Sequence, residues 1–170
     1  MIKIIDTSIP NQTNKKIIET LFTKRNWCFG ADETINKDIN KKDSGFLLNT
    51  YNVNFQETNN DNLNIYAELI THIVEAHTSM KFKLERVYWN WYHSESVMNF
   101  HQDNIKHNKF SIIYNLHNND GGTEFKIDDE IKFFKSNESQ VLFFPSKLIH
   151  RGVASKTSPN RFALNIGLEI

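Results

Sequence analysis

The sequence predicts a mostly β fold with supporting α-helices, in which a jelly-roll-like barrel is backed by two N-terminal helices. In the first half, two segments carry apolar residues at helical spacing. From residue 82 to residue 168, apolar and polar residues alternate in short runs that turn signals separate. Two helices followed by about seven antiparallel strands are typical of a β-barrel with helices over one sheet. A length of 170 residues fits a single domain, with helical support and the first strands in residues 1–80 and the barrel in residues 81–170.

The first half of the chain is predicted to support the barrel. A β-rich run predicts a strand at Ile2–Asp6, and apolar residues at helical spacing predict a helix over Lys15–Trp27. Residues 30–44 are polar and lack a period, which predicts a loop long enough to serve as a lid. A strand over Phe46–Phe55, an Asn-rich turn at residues 59–62 and a helix over Leu63–His77 complete this half. The predicted apolar side of that second helix consists of Ile65, Tyr66, Leu69, Ile70, Ile73 and Val74.

The second half is predicted to be a series of short strands. Turn signals separate them, such as the run Asn118–Gly122 and the triplet Ser158-Pro159-Asn160. The predicted strands are Phe82–Tyr92, Phe110–His117, Thr123–Ile127, Ile131–Phe134, Gln140–Phe144, Ile149–Ala154 and Arg161–Leu168.

Three residues of this half form a predicted metal site. His101 and Asp103 lie two positions apart after an aromatic strand, and His150 follows a buried strand and turn. Two imidazoles and one carboxylate that leave coordination positions open form the facial triad that suits non-haem Fe(II) in oxygenases. A lone His-x-Asp pair is weak evidence, because a chain with seven histidines often contains one by chance. The order of all three residues on one predicted barrel favours the metal site over a surface pair and a strand-end histidine.

A buried cation is predicted beside the triad. Arg161 begins the last strand, with Ala163 and Asn165 on the same face. An arginine inside a barrel is costly unless it meets an anion, and its planar fork suits a carboxylate. In the strand before His101, Tyr88, Asn90 and Tyr92 alternate with Trp89 and Trp91. If the tryptophans pack on the helices, the Tyr/Asn face points into the barrel.

Composition excludes several classes of protein. Lys plus Arg and Asp plus Glu number 20 each, so the net charge is zero and a nucleic-acid partner is not expected. The single cysteine, Cys28, excludes an internal disulfide and fits a reducing compartment. The N-terminus does not resemble a signal peptide, and no run approaches the roughly 20 apolar residues of a membrane span. The sequence therefore predicts a cytoplasmic protein, in the host cytoplasm if its source is viral.

The residues from about 84 to 168 resemble the Fe(II)- and 2-oxoglutarate-dependent dioxygenases, particularly their prolyl 4-hydroxylase-like branch. The resemblance lies in Tyr92 nine residues before His101, the His101-x-Asp103 pair, the block Gly121–Phe125, and His150 followed by Arg161. It differs from the common pattern in Glu95, where many members have glycine, and in the order Tyr114-Asn115-Leu116. The resemblance implies a double-stranded β-helix in residues 81–170.

The resemblance also implies a role for each residue. His101, Asp103 and His150 would bind Fe(II), with 2-oxoglutarate and O2 at the open positions. Arg161 would pair with the distal carboxylate of 2-oxoglutarate, with Tyr92 and Tyr114 hydrogen-bonding near it or Asn115 in a co-substrate position. Asn165 would order water beside the metal ligands. The implied activity is hydroxylation of an unactivated C–H bond, in a prolyl residue of a peptide or protein or in a small molecule.

Three alternatives stay open on the sequence. A cupin-like metalloprotein would share the barrel and metal, but it has no need of an anion anchor at Arg161. A non-enzymatic jelly-roll binding protein would need neither the metal nor the anion anchor. An AlkB-type nucleic-acid demethylase shares the triad, but that family has a second arginine six residues after the first, where this chain has Gly167.

Overall fold

The part of the protein that the structure describes is mostly β, with two helices and two antiparallel sheets. The structure, a computed structural model, describes residues 2–29, 45–52 and 62–170. Its helices are α1 (Asn11–Thr23) and α2 (Asn64–Thr78). Its strands are β1 (Lys3–Asp6), β2 (Cys28–Phe29), β3 (Phe46–Asn52), β4 (Lys83–His93), β5 (Lys109–Asn115), β6 (Gly122–Ile127), β7 (Glu130–Lys135), β8 (Gln140–Pro145), β9 (His150–Val153) and β10 (Asn160–Glu169). No helix within these ranges is both long and apolar enough to cross a membrane.

The strands form a seven-stranded major sheet and a three-stranded minor sheet. The major sheet has the order β1-β8-β5-β10-β4-β3-β2, and the minor sheet has the order β7-β6-β9. The minor sheet packs on one face of the major sheet, where the Phe125 and Phe144 rings lie 4.8 Å apart and Gly152 meets the ring of Tyr92. We call this the inner face of the major sheet.

The two helices cover the opposite face of the major sheet, as the sequence predicts. Trp89 is fully buried there with Ile17 and Leu21 of α1 and Val74 of α2. The neighbouring Trp91 is an edge-on partner of Phe22, with ring centroids 5.8 Å apart. Because side chains alternate along a strand, the Tyr/Asn positions of β4 face inward.

The helix boundaries differ from the predicted ones. Helix α1 begins at Asn11, four residues before the predicted Lys15, because Pro10 caps it in an extended conformation and its carbonyl accepts from Thr13. It ends at Thr23, and Trp27 instead donates its indole N–H to the carbonyl of Leu21 at 3.3 Å. The apolar periodicity does not reveal this start, because the first turn is polar. Its Asn11 and Asn14 both bind Glu138.

The apolar side of α2 is also partly mispredicted. Ile65 and Leu69 are 65% and 45% exposed, whereas Ala67, Ile70 and Val74 are fully buried. Spacings of three and four residues place the buried three on one stripe and leave the exposed pair outside it.

Three predictions fall wholly or partly outside the described residues. They are the loop at 30–44, the end of the predicted strand beyond Asn52, and the turn at 59–62, of which only residue 62 is described.

Candidate metal and anion site

The two histidines of the predicted triad are held together by their own backbones. The His101 N–H donates to the His150 carbonyl and the His150 N–H to the His101 carbonyl, both at 2.9 Å. Such a reciprocal pair puts both side chains on one face. Their ring centroids lie 4.5 Å apart.

A carbonyl oxygen fixes the orientation of each imidazole. Nδ1 of His101 lies 3.1 Å from the carbonyl oxygen of Asn99, and Nδ1 of His150 lies 2.9 Å from that of Leu148. With the proton on Nδ1, both Nε2 atoms are left as acceptors, and this is the usual arrangement behind a metal-binding histidine. Burial lowers the pKa of His150 to about 4, although Asp103 opposes the shift, so the ring is neutral at neutral pH.

Asp103 completes the cluster. Its Oδ1 lies 3.9 Å from Nε2 of His101, and its Oδ2 lies 3.7 Å from Nε2 of His150. The three ligand atoms all lie within 4.8 Å of one another. Ligand atoms bound to one ion at about 2.1 Å can lie up to about 4.2 Å apart, so both carboxylate separations fit a shared ion.

Two further side chains hold the Asp103 carboxylate from behind. Ser111 donates to Oδ2 at 2.6 Å, and Arg86 forms an ion pair with Oδ1. Burial alone would raise the pKa of Asp103, but Arg86, the two histidines and the Ser111 hydroxyl hold it well below its usual range. The carboxylate is therefore ionised and oriented, as metal ligation requires.

Arg161 lies fully inside the structure, on the inner face. It is 1% exposed, and its Cζ lies 4.9 Å from the centroid of the Tyr92 ring. Nη2 donates to Oδ1 of Asn115 at 3.4 Å, while Nε and Nη1 are buried without a hydrogen-bond partner in the described chain. Burial lowers the pKa of Arg161, against the opposing influence of Tyr92. A buried guanidinium with unpaired N–H groups fits a carboxylate ligand.

Tyr114 does not belong to this site, contrary to the prediction. Its hydroxyl donates to Oδ1 of Asn14 at 2.7 Å, on the helix-covered face of the major sheet. Residues alternate across a strand, so it is the adjacent Asn115 that reaches Arg161. Tyr92 and Asn165 do lie on the inner face, and Oδ1 of Asn165 is buried without a partner among the residues described.

Arg86 is the site residue that the sequence reasoning missed. The signal was available, because Arg86 continues the inward series of Tyr92, Asn90 and Tyr88 along β4. A positively charged residue on that face called for an anionic partner, which the structure identifies as Asp103.

No protein-family model matches the sequence, and no curated protein matches it either. Solved structures resemble it in fold. A prolyl hydroxylase from Trichoplax adhaerens, in complex with a hypoxia inducible factor oxygen degradation domain peptide fragment, has a TM-score of 0.72 at 11% identity and covers 99% of this chain and 83% of its own. HygX from Streptomyces hygroscopicus, with nickel, 2-oxoglutarate and hygromycin B bound, has a TM-score of 0.67 at 10% identity, covering 99% and 82%.

A third similar structure is the non-haem α-ketoglutarate-dependent carbocyclase SnoK from nogalamycin biosynthesis. It has a TM-score of 0.71 at 10% identity and covers 99% of this chain and 79% of its own. At these identities the likeness establishes a shared fold, and the fold resembles that of 2-oxoglutarate-dependent iron oxygenases.

Proposed function

We propose that this protein is a single-domain Fe(II)- and 2-oxoglutarate-dependent dioxygenase, built on a double-stranded β-helix, that hydroxylates an unactivated C–H bond. The observation that carries the proposal is the pairing of the His101–Asp103–His150 cluster with a buried Arg161 on one inner face. An iron site alone would also fit a cupin-like protein. The unpaired N–H groups of Arg161 are what favour a dicarboxylate co-substrate.

The residues present fit the cofactors. Nε2 of His101, Nε2 of His150 and a carboxylate oxygen of Asp103 would hold Fe(II), and the carbonyls behind the rings keep both histidines in the binding tautomer. Arg161 would bind the distal carboxylate of 2-oxoglutarate, and Tyr92 and Asn115 would fix the guanidinium. When bound, iron and 2-oxoglutarate supply the activation of O2.

The chain's own contribution is to position and to exclude water. Phe125 and Phe144 pack against the ring of His150, with centroids 5.6 and 4.9 Å away, and they give that side of the site an apolar wall. In the overall reaction one oxygen atom of O2 enters the new C–OH group and the other enters succinate, while CO2 leaves. Asp103 and both histidines transfer no proton in this reaction and act as ligands.

Two of the similar structures favour different classes of substrate. The prolyl hydroxylase with its peptide favours a prolyl residue of a peptide or protein, and HygX with hygromycin B favours a small molecule. We place the reaction in the cytoplasm on the strength of the sequence, with no nucleic-acid partner.

The test is an anaerobic titration of the apo-protein with Fe(II) and then with 2-oxoglutarate, watching for the visible charge-transfer band of chelated 2-oxoglutarate. We expect a band in the wild type that His150→Ala and Arg161→Ala both lose. Iron binding without any band would favour the cupin-like alternative. If neither iron nor 2-oxoglutarate binds, the protein is a non-enzymatic barrel and the proposal is wrong.

A further inference from the structure

A histidine lies beside Arg161 on the inner face of the major sheet. Asn115, the last residue of β5, pairs in register with Ala163 of β10. Two residues onward along β5 and two residues back along the antiparallel β10, His117 comes opposite Arg161, and alternation puts it on the same face as Asn115. Nε2 of His117 lies 3.2 Å from the carbonyl oxygen of Asn160, the residue before Arg161. The imidazole is therefore the neighbour of Arg161 on the β5 side.

The contact with Asn160 fixes the tautomer of His117. A carbonyl oxygen can only accept a hydrogen bond, so Nε2 carries the proton and Nδ1 of the neutral ring is an acceptor. Nδ1 is buried and has no hydrogen-bond partner among the residues that the structure describes. Buried polar atoms are nearly always paired in native proteins, so this nitrogen is available to a ligand.

Burial and charge keep this ring neutral at neutral pH. Burial is the largest influence on the pKa of His117 and lowers it, and the positive charge of Arg161 lowers it further. The hydrogen bond to Asn160 and the charge of Glu138, in the turn before β8, oppose the shift. Arg161 and Glu138 are thus the charged groups that act on the ring from the described elements around it.

Arg161 and His117 carry complementary groups that they do not use on each other. Within the described chain, Nε and Nη1 of Arg161 are donors without a partner, and Nδ1 of His117 is an acceptor without one. A carboxylate bound at Arg161 would accept from the guanidinium and offset its charge. The imidazole could then take up a proton, and the new Nδ1–H would donate to the same carboxylate.

We propose that His117 is a second binding residue for the distal carboxylate of the co-substrate, which the protonated imidazole and the Arg161 guanidinium hold together. The inference rests on the proposed function, since that function assigns the carboxylate to Arg161. The proton comes from solvent when the co-substrate binds and returns to solvent when it leaves. The two residues together select a dicarboxylic 2-oxo acid over one that ends in a methyl group.

Proton uptake is the property that distinguishes this role from a structural one. The bound carboxylate raises the pKa of the His117 ring, so the complex binds more protons than the unliganded protein. The affinity for 2-oxoglutarate should therefore rise as the pH falls, until the ring is protonated without the ligand. One coupled proton changes the dissociation constant by at most about ten-fold per pH unit.

The test measures proton uptake by titration calorimetry in buffers that differ in their enthalpy of ionisation. Anaerobic protein loaded with Fe(II) is titrated with 2-oxoglutarate and, separately, with 2-oxovalerate, between about pH 6 and pH 8. 2-Oxovalerate keeps the chelating 2-oxo acid end but has a methyl group in place of the distal carboxylate. Protons exchanged at the metal are common to both acids, so the difference between them reports on the distal carboxylate. The visible charge-transfer band shows that each acid chelates the iron.

The variant His117→Gln assigns the proton to this ring. Its amide can still donate to the Asn160 carbonyl, but it does not titrate. We expect 2-oxoglutarate to take up more protons than 2-oxovalerate in the wild type, and this difference to vanish in His117→Gln. The dissociation constant of 2-oxoglutarate should rise about ten-fold, the effect of one charge-assisted hydrogen bond, and that of 2-oxovalerate should stay unchanged.

A second histidine serves as the matched control. Nδ1 of His77 also meets a backbone carbonyl, that of Ile73 at 2.9 Å, but at the exposed end of α2. His77→Gln should keep the wild-type proton uptake and both dissociation constants. The comparison of the two acids in the wild type remains decisive even if His117→Gln does not fold.

The outcomes separate the two proposals. Equal proton uptake with both acids in the wild type, or a difference that persists in His117→Gln, overturns the role of His117 and leaves the oxygenase proposal intact. Absence of the charge-transfer band with 2-oxoglutarate overturns the proposed function, and the role of His117 toward this co-substrate is then wrong as well.

Discussion

Gly167 on β10 leaves the space through which Arg86 on β4 reaches Asp103. The two residues lie opposite each other in register, and a Cβ on Gly167 would lie 2.7 Å from Cγ and 2.9 Å from Nε of Arg86. Arg86 binds one oxygen of Asp103 and Ser111 binds the other. Because Gly167 has no side chain, it leaves room for the Arg86 guanidinium from the neighbouring strand β4.

Because of this contact, Gly167→Ala should weaken metal binding. The added methyl group displaces Arg86, and a metal-ligating carboxylate that loses its supporting contact typically costs 10–100-fold in affinity. We expect about a ten-fold rise in the dissociation constant for Co(II), measured by anaerobic titration of the visible absorption. Arg86→Ala should have a similar effect, and Gly167→Ala should add nothing in the Arg86→Ala background.

A second glycine provides the control. A Cβ on Gly152 would lie 2.8 Å from the Tyr92 ring and its hydroxyl, on the Arg161 side of the site. Gly152→Ala should therefore impair 2-oxoglutarate binding while leaving the Co(II) titration close to that of the wild type.

Independent, additive effects of Gly167→Ala and Arg86→Ala on Co(II) affinity would contradict the proposed coupling between Gly167 and Arg86.

Replacing Arg161 with methionine should separate binding from stability. The substitution removes the anion anchor, and we expect the dissociation constant of 2-oxoglutarate to rise about 100-fold, while Co(II) affinity is retained. The ligand-free protein should lose no more than about 1 kcal/mol of unfolding free energy, because the substitution also removes a buried charge with unpaired N–H groups. Urea denaturation without ligands gives the second quantity.

The control for this substitution is Arg151→Met. Arg151 pairs with Glu124 on the minor sheet at 2.7 Å and is 35% exposed, so its loss should change neither measurement appreciably. A large destabilisation by Arg161→Met, with 2-oxoglutarate affinity intact, would make Arg161 a structural residue.

The metal-free protein should lose stability between neutral pH and about pH 4 because of His150. Its pKa falls from 6.5 to about 4 on folding, so between these values the unfolded state binds more protons. The free energy of unfolding therefore rises with pH across this window, is fully present above 6.5 and is lost as the pH falls through 4. The contribution is on the order of 3 kcal/mol.

Denaturant titrations at a series of pH values would show this slope, and His150→Gln should flatten it. His107→Gln, at an exposed position, serves as the control and should leave the slope unchanged. A wild-type slope that survives in His150→Gln would mean that other groups are responsible.

Periodicity in the sequence was sufficient to predict the strands of the second half and the packing of the Trp89 face on the helices. The motif spacing likewise predicted that His101, Asp103, His150 and Arg161 lie on one barrel. The motif spacing did not predict correctly which of the adjacent residues Tyr114 and Asn115 faces the site. A shift of one residue moves a side chain to the other face of a strand, and only the register of β5 against β10 decides which of the two meets Arg161.

The contacts of Arg86 could not be predicted from the sequence, for a different reason. Its partner is seventeen positions away, and the space it needs comes from a glycine on a strand more than seventy residues later. Neither fact follows from a local pattern, because both depend on which strands become neighbours in the major sheet. The unpaired oxygen of Asn165 is hidden from the sequence in the same way.

Two tyrosines test the corrected assignment directly. Tyr114→Phe removes the donor to Asn14 in the helix-covered core and should cost about 1 kcal/mol of unfolding free energy, with 2-oxoglutarate affinity unchanged. Tyr92→Phe keeps the ring beside Arg161 but removes its hydroxyl group, which hydrogen-bonds the guanidinium, and should weaken 2-oxoglutarate binding several-fold with little loss of stability. Thermal unfolding and titration of the charge-transfer band measure the two effects. If Tyr114→Phe instead weakened 2-oxoglutarate binding, the register of β5 would have to place Tyr114 on the inner face, and the assignment of Asn115 to Arg161 would fall with it.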